Sequence, residues 1–250
     1  MPHLPRIAVI MDENTSADGT RYDMAKAYFV AIQRAGGLPF GIPYGPEMVD
    51  PVIDGFDGFL SVGGRFAFPD SWFIDGQVSK APPSERLDVE IALMRGFLER
   101  DKPVLGICNG MQVLAALHGC RLSPDLRALG PHVMDHDRRG AVHRVSVAQD
   151  TLLARIVGQT TLAVNTFHRE AVVTLSDRAV ASARAEDGII EAIEIPDRRF
   201  AVGVQWHQEL FARQDHPGNR LFEAFVQASG QRRALPDRDG RDRPGHDVWR

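Results

Sequence analysis

Residues 104–119 read VLGICNGMQVLAALHG, and the change of pattern inside this stretch decides the fold. Val104, Leu105 and Ile107 form a short aliphatic run of the kind that fills a buried strand, behind the turn-like Asp101-Lys102-Pro103. From Gly110 the period changes. Met111, Leu114, Ala115 and Leu117 recur at helical spacing, and Gly119 is placed to stop the helix just past its last apolar turn. A buried strand running straight into a helix is the repeating unit of a parallel, helix-covered sheet. Cys108 sits on the turn between them.

That position gives the thiol a chemistry. A helix N-terminus presents unpaired N–H groups and partial positive charge, which favour a thiolate, and Gly106 and Gly110 permit a sharp turn. Gly106-x-Cys108-x-Gly110 is thus the sulfur form of the G-x-S-x-G nucleophile elbow. Free cysteine is also among the most buried residue types, so a packing role competes with this reading until a base is found. Phe200–Gln205 (FAVGVQ) forms a second apolar strand that enters Trp206-His207-Gln208-Glu209. In extended chain, residues two apart point to one side, so Glu209 can fix the tautomer of His207. A triad of Cys108, His207 and Glu209 is the expectation.

The rest of the chain agrees with an α/β architecture. RIAVIM (6–11), LPFGIP (38–43) and residues 57–62 read as strands, the last ending at Gly63-Gly64. Helical spacing runs over 22–34, closed by Gly36-Gly37, over 49–53, and over 84–100 with Ser84 as its cap. After Gly119 the runs VHRVSVA, TLAVNTF, AVVTL, AVASARA and GIIEAIEI are closely spaced, which predicts antiparallel additions in the C-terminal half. Residues 121–141 read as a polar connection. One domain is expected over 1–230, followed by a disordered Pro-, Arg- and Asp-rich tail over 231–250.

Composition excludes several functions. A net charge of −4 without a basic stripe argues against nucleic acid or an anionic membrane as partner. No signal peptide opens the sequence, and no window approaches the roughly 18 apolar residues of a membrane span. Two cysteines make no disulfide framework, and a reactive thiol suits a reducing compartment, so a cytoplasmic protein is expected. Cys120 lacks an elbow and reads as packing. His132, His136 and His143 fit no zinc spacing and read as a solvated loop, so neither metal nor cofactor is expected.

Taken together, these residues resemble the class I glutamine amidotransferase superfamily, with its G-x-C-x-G elbow and late W-H-x-E. Within it they are most similar to the γ-glutamyl hydrolase branch, of peptidase C26 type, and especially to γ-glutamyl-γ-aminobutyrate hydrolases of polyamine breakdown. The likeness spans roughly residues 6–228 and rests on Arg21-Tyr22-Asp23, DGFLSVGG (57–64), PSERLDVE (83–90), KPVLGICNGMQ (102–112), VNTFHREAV (164–172), EDGIIEAIE (186–194) and VQWHQE (204–209). Asn109 stands where the branch has arginine, Gln208 where it has proline, and RFAFPD follows Gly64 in place of the usual loop.

The resemblance implies a flavodoxin-like fold with a central, mostly parallel sheet. It implies acyl transfer through a thioester on Cys108, with His207 moving the proton and the Asn109 and Gly64 N–H groups receiving the oxyanion. Gln112, His168 and Gly63 become candidate substrate contacts, and Arg65–Trp72 with the 121–141 connection the expected pocket walls. The expected partner is a small γ-glutamyl amide, and a homodimer is allowed. Two functions stay open: a stand-alone hydrolase, and a glutaminase subunit supplying ammonia to a separate synthetase.

Overall fold

The computed structural model describes residues 4–13, 20–74 and 76–231, so the tail expected to be disordered falls almost wholly outside the described residues. The first half alternates as the sequence pattern requires: β1 (Arg6–Ile10), the two-residue β2 (Asp12–Glu13) and β3 (Tyr22–Asp23), then α1 (Lys26–Arg34), β4 (Leu38–Ile42), α2 (Val49–Gly55), β5 (Gly58–Ser61), α3 (Arg86–Glu99), β6 (Val104–Ile107) and α4 (Asn109–Leu117). The second half is richer in strands: β7 (Arg121–Ser123), β8 (Ala141–Val147), α5 (Leu152–Val157), β9 (Thr161–Thr166), β10 (Ala171–Thr174), β11 (Val180–Ala185), β12 (Ile190–Glu194), β13 (Ala201–Val204) and α6 (Arg220–Gly230).

Nine strands form one sheet in the order β4-β1-β5-β6-β13-β12-β11-β8-β9. Pairing is parallel from β4 across to β13 and antiparallel from β13 outward. The sheet is thus parallel at its centre with antiparallel additions, as expected. The central strands β5, β6 and β13 are buried along their whole length, so only helices on both faces can shield them. Neighbouring residues of β5 show the two layers. Phe59 stacks on Phe97 of α3 at 5.4 Å, whereas a Cβ on Gly58 would meet Phe225 and Ser229 of α6.

Several elements depart from expectation. The helix expected over 22–34 begins only at Lys26, because Ala25 is extended and Tyr22–Asp23 pairs with Asp12–Glu13. Ser84 is not the cap: the helix starts at Arg86 with Glu85 before it, and Ser84 Oγ instead accepts the Arg86 N–H at 3.0 Å from one position earlier. AVVTL leaves the main sheet: β10 pairs antiparallel with β7, so the 121–141 connection contains a strand rather than only polar loop. Helices α5 and α6 were not anticipated, although Leu221, Phe222, Phe225 and Val226 carry a helical apolar face and are buried.

The strand-to-helix turn leaves no room for side chains at its glycines. A Cβ on Gly106 would stand 2.6 Å from the Gly110 carbonyl, and one on Gly110 would stand 2.2 Å from Ser61 Oγ. Gly110→Ala should therefore cost about 1–3 kcal/mol of stability by overpacking, measured as a lowered midpoint of chemical denaturation with an unchanged slope.

Candidate active site

The site lies beyond the carboxyl ends of the adjacent parallel strands β5, β6 and β13, where open α/β sheets place their ligands. β6 delivers Cys108, which leaves the strand at φ 51° and ψ −104°, a backbone region that side-chain-bearing residues rarely adopt. Its N–H donates to the Val204 carbonyl at 2.8 Å and its own carbonyl accepts from Gln112 N at 3.2 Å, which fixes the turn from both sides. The thiol is 6% exposed and receives the Gln205 side-chain N–H at 3.6 Å.

β13 delivers His207. Its Nδ1 lies 2.7 Å from Glu209 Oε1, and Cys108 is close enough to the ring to act on its protonation, so the structure brings Cys108, His207 and Glu209 together. Burial pulls the imidazole pKa down, but the hydrogen bond and charge of Cys108, then those of Glu209, outweigh it and hold the group up at about 11. Tyr28 is buried beside this carboxylate. Desolvation first, then the Glu209 charge, push the phenol well above its ordinary value, so it stays neutral.

Asn165 clamps the main chain of His207: its Oδ1 accepts the His207 N–H at 2.8 Å and its Nδ2 donates to the carbonyl at 2.9 Å. Gln208, in place of proline, is buried, accepting from Trp206 Nε1 at 2.9 Å and donating to Asn219 Oδ1 at 3.0 Å. The departure from the family pattern therefore has a local structural role.

β5 ends in Val62, Gly63 and Gly64. The Gly63 N–H donates to Tyr28 Oη at 3.0 Å and its carbonyl accepts from Arg86 Nη1 at 2.9 Å, so both its main-chain groups are engaged within the protein. A Cβ here would lie 2.9 Å from His207 Cε1, and one on Gly64 would lie 2.9 Å from Arg86 Nη1. Arg86 was missed in the sequence. It is wholly buried, donates to the Val62 carbonyl at 2.7 Å and forms a two-point pair with Glu90 at 2.9 Å for each bond, while Glu90 also accepts from Ser61 Oγ. The only sequence signal was an Arg and a Glu one helical turn apart.

The pocket in front of Cys108 is lined by Gly64, Asn109, Gln112, His168 and Glu170, with Arg65, Lys80 and Arg169 adding cationic groups. Arg65 and Pro124 come from the expected walls. Phe66 and Phe68 instead pack into the core, and the opposite wall is built by Phe167–Glu170. Gln112 Nε2 donates to the Glu170 carbonyl at 2.8 Å and to Gln205 Oε1 at 3.2 Å, bracing that wall. Asn109 and Gly64 both face the pocket, and Asn109 heads a helix whose first N–H groups have no acceptor within it. His168, a candidate substrate contact, lies on a loop lining the pocket, yet it is buried with its Nε2 turned to Glu191.

The expectation of a solvated histidine loop fails for two of its members. His132 is exposed, but His136 is buried and His143 nearly so, both turned to Glu191, because β8 and β12 carry the segment into the sheet. Cys120 is buried, as a packing residue should be.

Among the described residues no helix is long and apolar enough to cross a membrane. The chain matches the Peptidase C26 family over residues 5–209. It is 32% identical to protein NtpR of Enterococcus hirae over 79% of this chain and 85% of that one. It is 28% identical to the gamma-glutamyl-gamma-aminobutyrate hydrolase PuuD of Escherichia coli K12 over 90% and 93% of the two chains. In fold it is similar to the glutaminase domain of Trypanosoma brucei CTPS with bound acivicin, with a TM-score of 0.61 at 18% identity over 92% and 96% of the chains. The family match and these relatives define a glutamine amidotransferase-like, cysteine-dependent hydrolase. The chain belongs to the peptidase C26 family.

Two predictions follow from the site's charges. Glu90→Gln should leave the buried Arg86 with only the part-exposed Asp12, 3.0 Å from its Nη1, as counter-charge and cost about 3 kcal/mol, read as a lower thermal midpoint. Burial raises Glu170 to about 7, against the opposing pull of Arg65, a Ser79 hydrogen bond and Arg169. Below that pH Glu170 is neutral and the pocket more cationic; above it Glu170 is anionic. KM for a carboxylate-bearing substrate should therefore rise as pH passes upward through about 7, and Glu170→Gln should flatten that step in the pH profile.

Proposed function

We propose that the protein hydrolyses γ-glutamyl amides, γ-glutamyl-γ-aminobutyrate or a related γ-glutamyl amine, through a Cys108–His207–Glu209 triad. The observation that carries this reading is the Cys108 turn itself, a thiol at a helix N-terminus beside an imidazole whose Nδ1 is held 2.7 Å from the Glu209 carboxylate. Cys108 Sγ attacks the γ-carbonyl carbon while His207 takes the thiol proton. The tetrahedral oxyanion is received by the N–H groups of Asn109 and Gly64. Collapse breaks the C–N bond, His207 returns its proton to the leaving amine, and a thioester remains. Water, deprotonated by His207, attacks the thioester and releases glutamate and the thiol.

The pocket's charge supports this substrate class. Arg65 and Arg169 share the single carboxylate of Asp137, so the pair keeps a net positive charge at the pocket that suits the carboxylate of a glutamyl unit or of an acidic leaving amine. The second reading, a glutaminase subunit that feeds a synthetase, is favoured by the likeness to a glutaminase domain. The isolated chain separates the two. Purified alone, it should cleave γ-glutamyl-γ-aminobutyrate with a kcat/KM well above that for glutamine; a preference for glutamine, or activity only with an added partner, would replace the hydrolase reading. Cys108→Ala should lower kcat by about 10⁴-fold or more while leaving the melting temperature near that of the parent, and an acid quench of the parent should trap a γ-glutamyl thioester on Cys108.

A further inference from the structure

Behind the pocket wall, His136, His143 and His168 surround the carboxylate of Glu191, which is wholly buried. His136 Nδ1 and His168 Nε2 each lie 3.4 Å from Glu191 Oε1, and His143 Nε2 lies 3.7 Å from it. The triad reading above makes no use of this cluster.

The opposite edge of each ring identifies its tautomer. His136 Nε2 faces Asp187 Oδ2 at 2.9 Å, and that oxygen already accepts the Met134 N–H at 2.8 Å. His168 Nδ1 faces the Glu170 carbonyl at 3.0 Å, and His143 Nδ1 the Arg144 carbonyl at 3.3 Å. Carbonyl and carboxylate oxygens only accept, so each of these nitrogens must carry the hydrogen. In neutral rings the lone pairs then lie on His136 Nδ1, His143 Nε2 and His168 Nε2, the three atoms that converge on Glu191. Thr166 cannot relieve the first, because its hydroxyl donates to the His136 carbonyl at 2.9 Å. His143 Nε2, His168 Nε2 and both Glu191 oxygens are buried without a hydrogen-bond partner. Lone pairs facing a buried carboxylate repel one another unless a cation stands between them.

We propose that His136 Nδ1, His143 Nε2 and Glu191 bind a divalent transition-metal ion of the zinc class. Their donor atoms lie within 4.8 Å of one another. Ligands about 2.0–2.1 Å from a tetrahedral zinc stand about 3.3–3.4 Å apart, close to the 3.4 and 3.7 Å separations found here before any metal draws them in. The second shell is that of a metal site, with Asp187 holding the far edge of His136 as carboxylates hold ligating histidines. His168 faces the same carboxylate oxygen from the pocket side at 3.4 Å. The site is structural in kind: it ties the segment before β8 to β12 and stiffens the wall bearing Phe167–Glu170.

The test uses the full chain carrying Cys108→Ala, so that no ion can sit on the catalytic thiol, stripped with chelator and titrated calorimetrically with zinc. One saturable equivalent and a higher thermal midpoint are expected. Asp187→Asn should weaken binding about 10–100-fold, and His136→Ala or Glu191→Gln by more than that. Cobalt(II) added to the Cys108→Ala chain should give the intense visible bands of a four- or five-coordinate site, a readout that stands even if a ligand variant fails to fold. Absence of saturable binding, a six-coordinate aquo-like cobalt spectrum, or unchanged affinity in folded His136→Ala and Glu191→Gln would each overturn the proposal and leave protons as the cations shared within the cluster.

Discussion

Cys108 is held at a positive φ between a buried strand and a helix, and the rest of the molecule is arranged so that this conformation persists. A side-chain-bearing residue there costs about 1–3 kcal/mol, more than its two main-chain hydrogen bonds offset. The constraint comes from packing. Gly106 admits the Gly110 carbonyl, Gly110 lies against Ser61, and a Cβ on Gly203 would collide with Met111. Three parallel strands thus meet the first turn of α4 with no space for a relaxed alternative. The parallel centre of the sheet is therefore a requirement of the turn, because only neighbouring parallel strands end together at the same edge.

A second layer of constraint is polar. Arg86 lies wholly inside the protein and donates to the main-chain carbonyls of Val62 and Gly63 just past β5, so that turn is held by a side chain from a distant helix. A buried ion pair such as Arg86–Glu90 adds little net stability over a well-packed apolar pair, since desolvation cancels most of the attraction. What it adds is direction. Asn165 does the same for His207, taking both main-chain groups in a geometry that hydrophobic contact could not specify. One face of the site is thereby fixed by an arginine and the other by an asparagine.

The elbow was legible in the sequence because its determinants are local: glycines at 106 and 110, an aliphatic run before and a helical period after. His207 and Glu209 were legible for the same reason, two residues apart at a strand's exit. Arg86, Asn165 and Gln205 were not, because each acts on a segment remote in sequence that only the folded sheet brings near. The histidines failed in the reverse direction. Zinc spacings describe ligands on one short loop, whereas His136 and Glu191 meet across the fold, so a spacing rule reported solvent where burial is complete. The start of α1 was misplaced because an apolar period cannot reveal that Tyr22 packs edge-on to Tyr44 at 4.8 Å instead of continuing the helix.

These constraints divide the pocket into unequal halves. Gln205 joins the nucleophile to the sheet, donating its side-chain N–H to Cys108 and its main-chain N–H to the Glu191 carbonyl at 2.7 Å, while Gln112 ties it to the main chain of Glu170. His168 shares that Glu170 carbonyl, so the inner wall from Cys108 to His168 is one hydrogen-bonded unit. The outer wall differs in kind. Arg65 and Arg169 both reach Asp137, at 2.9 and 2.8 Å, and Lys80 reaches Asp125 at 3.0 Å, with Arg65 and Lys80 largely exposed. Exposed pairs of this sort contribute little to stability and exchange partners readily. The inner wall is therefore rigid where it meets Cys108, while the outer wall can rearrange its charged side chains. That is the side on which this chain departs most from the family pattern, at the segment following Gly64. A rigid inner wall beside an adjustable outer one lets the charged side chains of the outer wall change without disturbing the turn at Cys108.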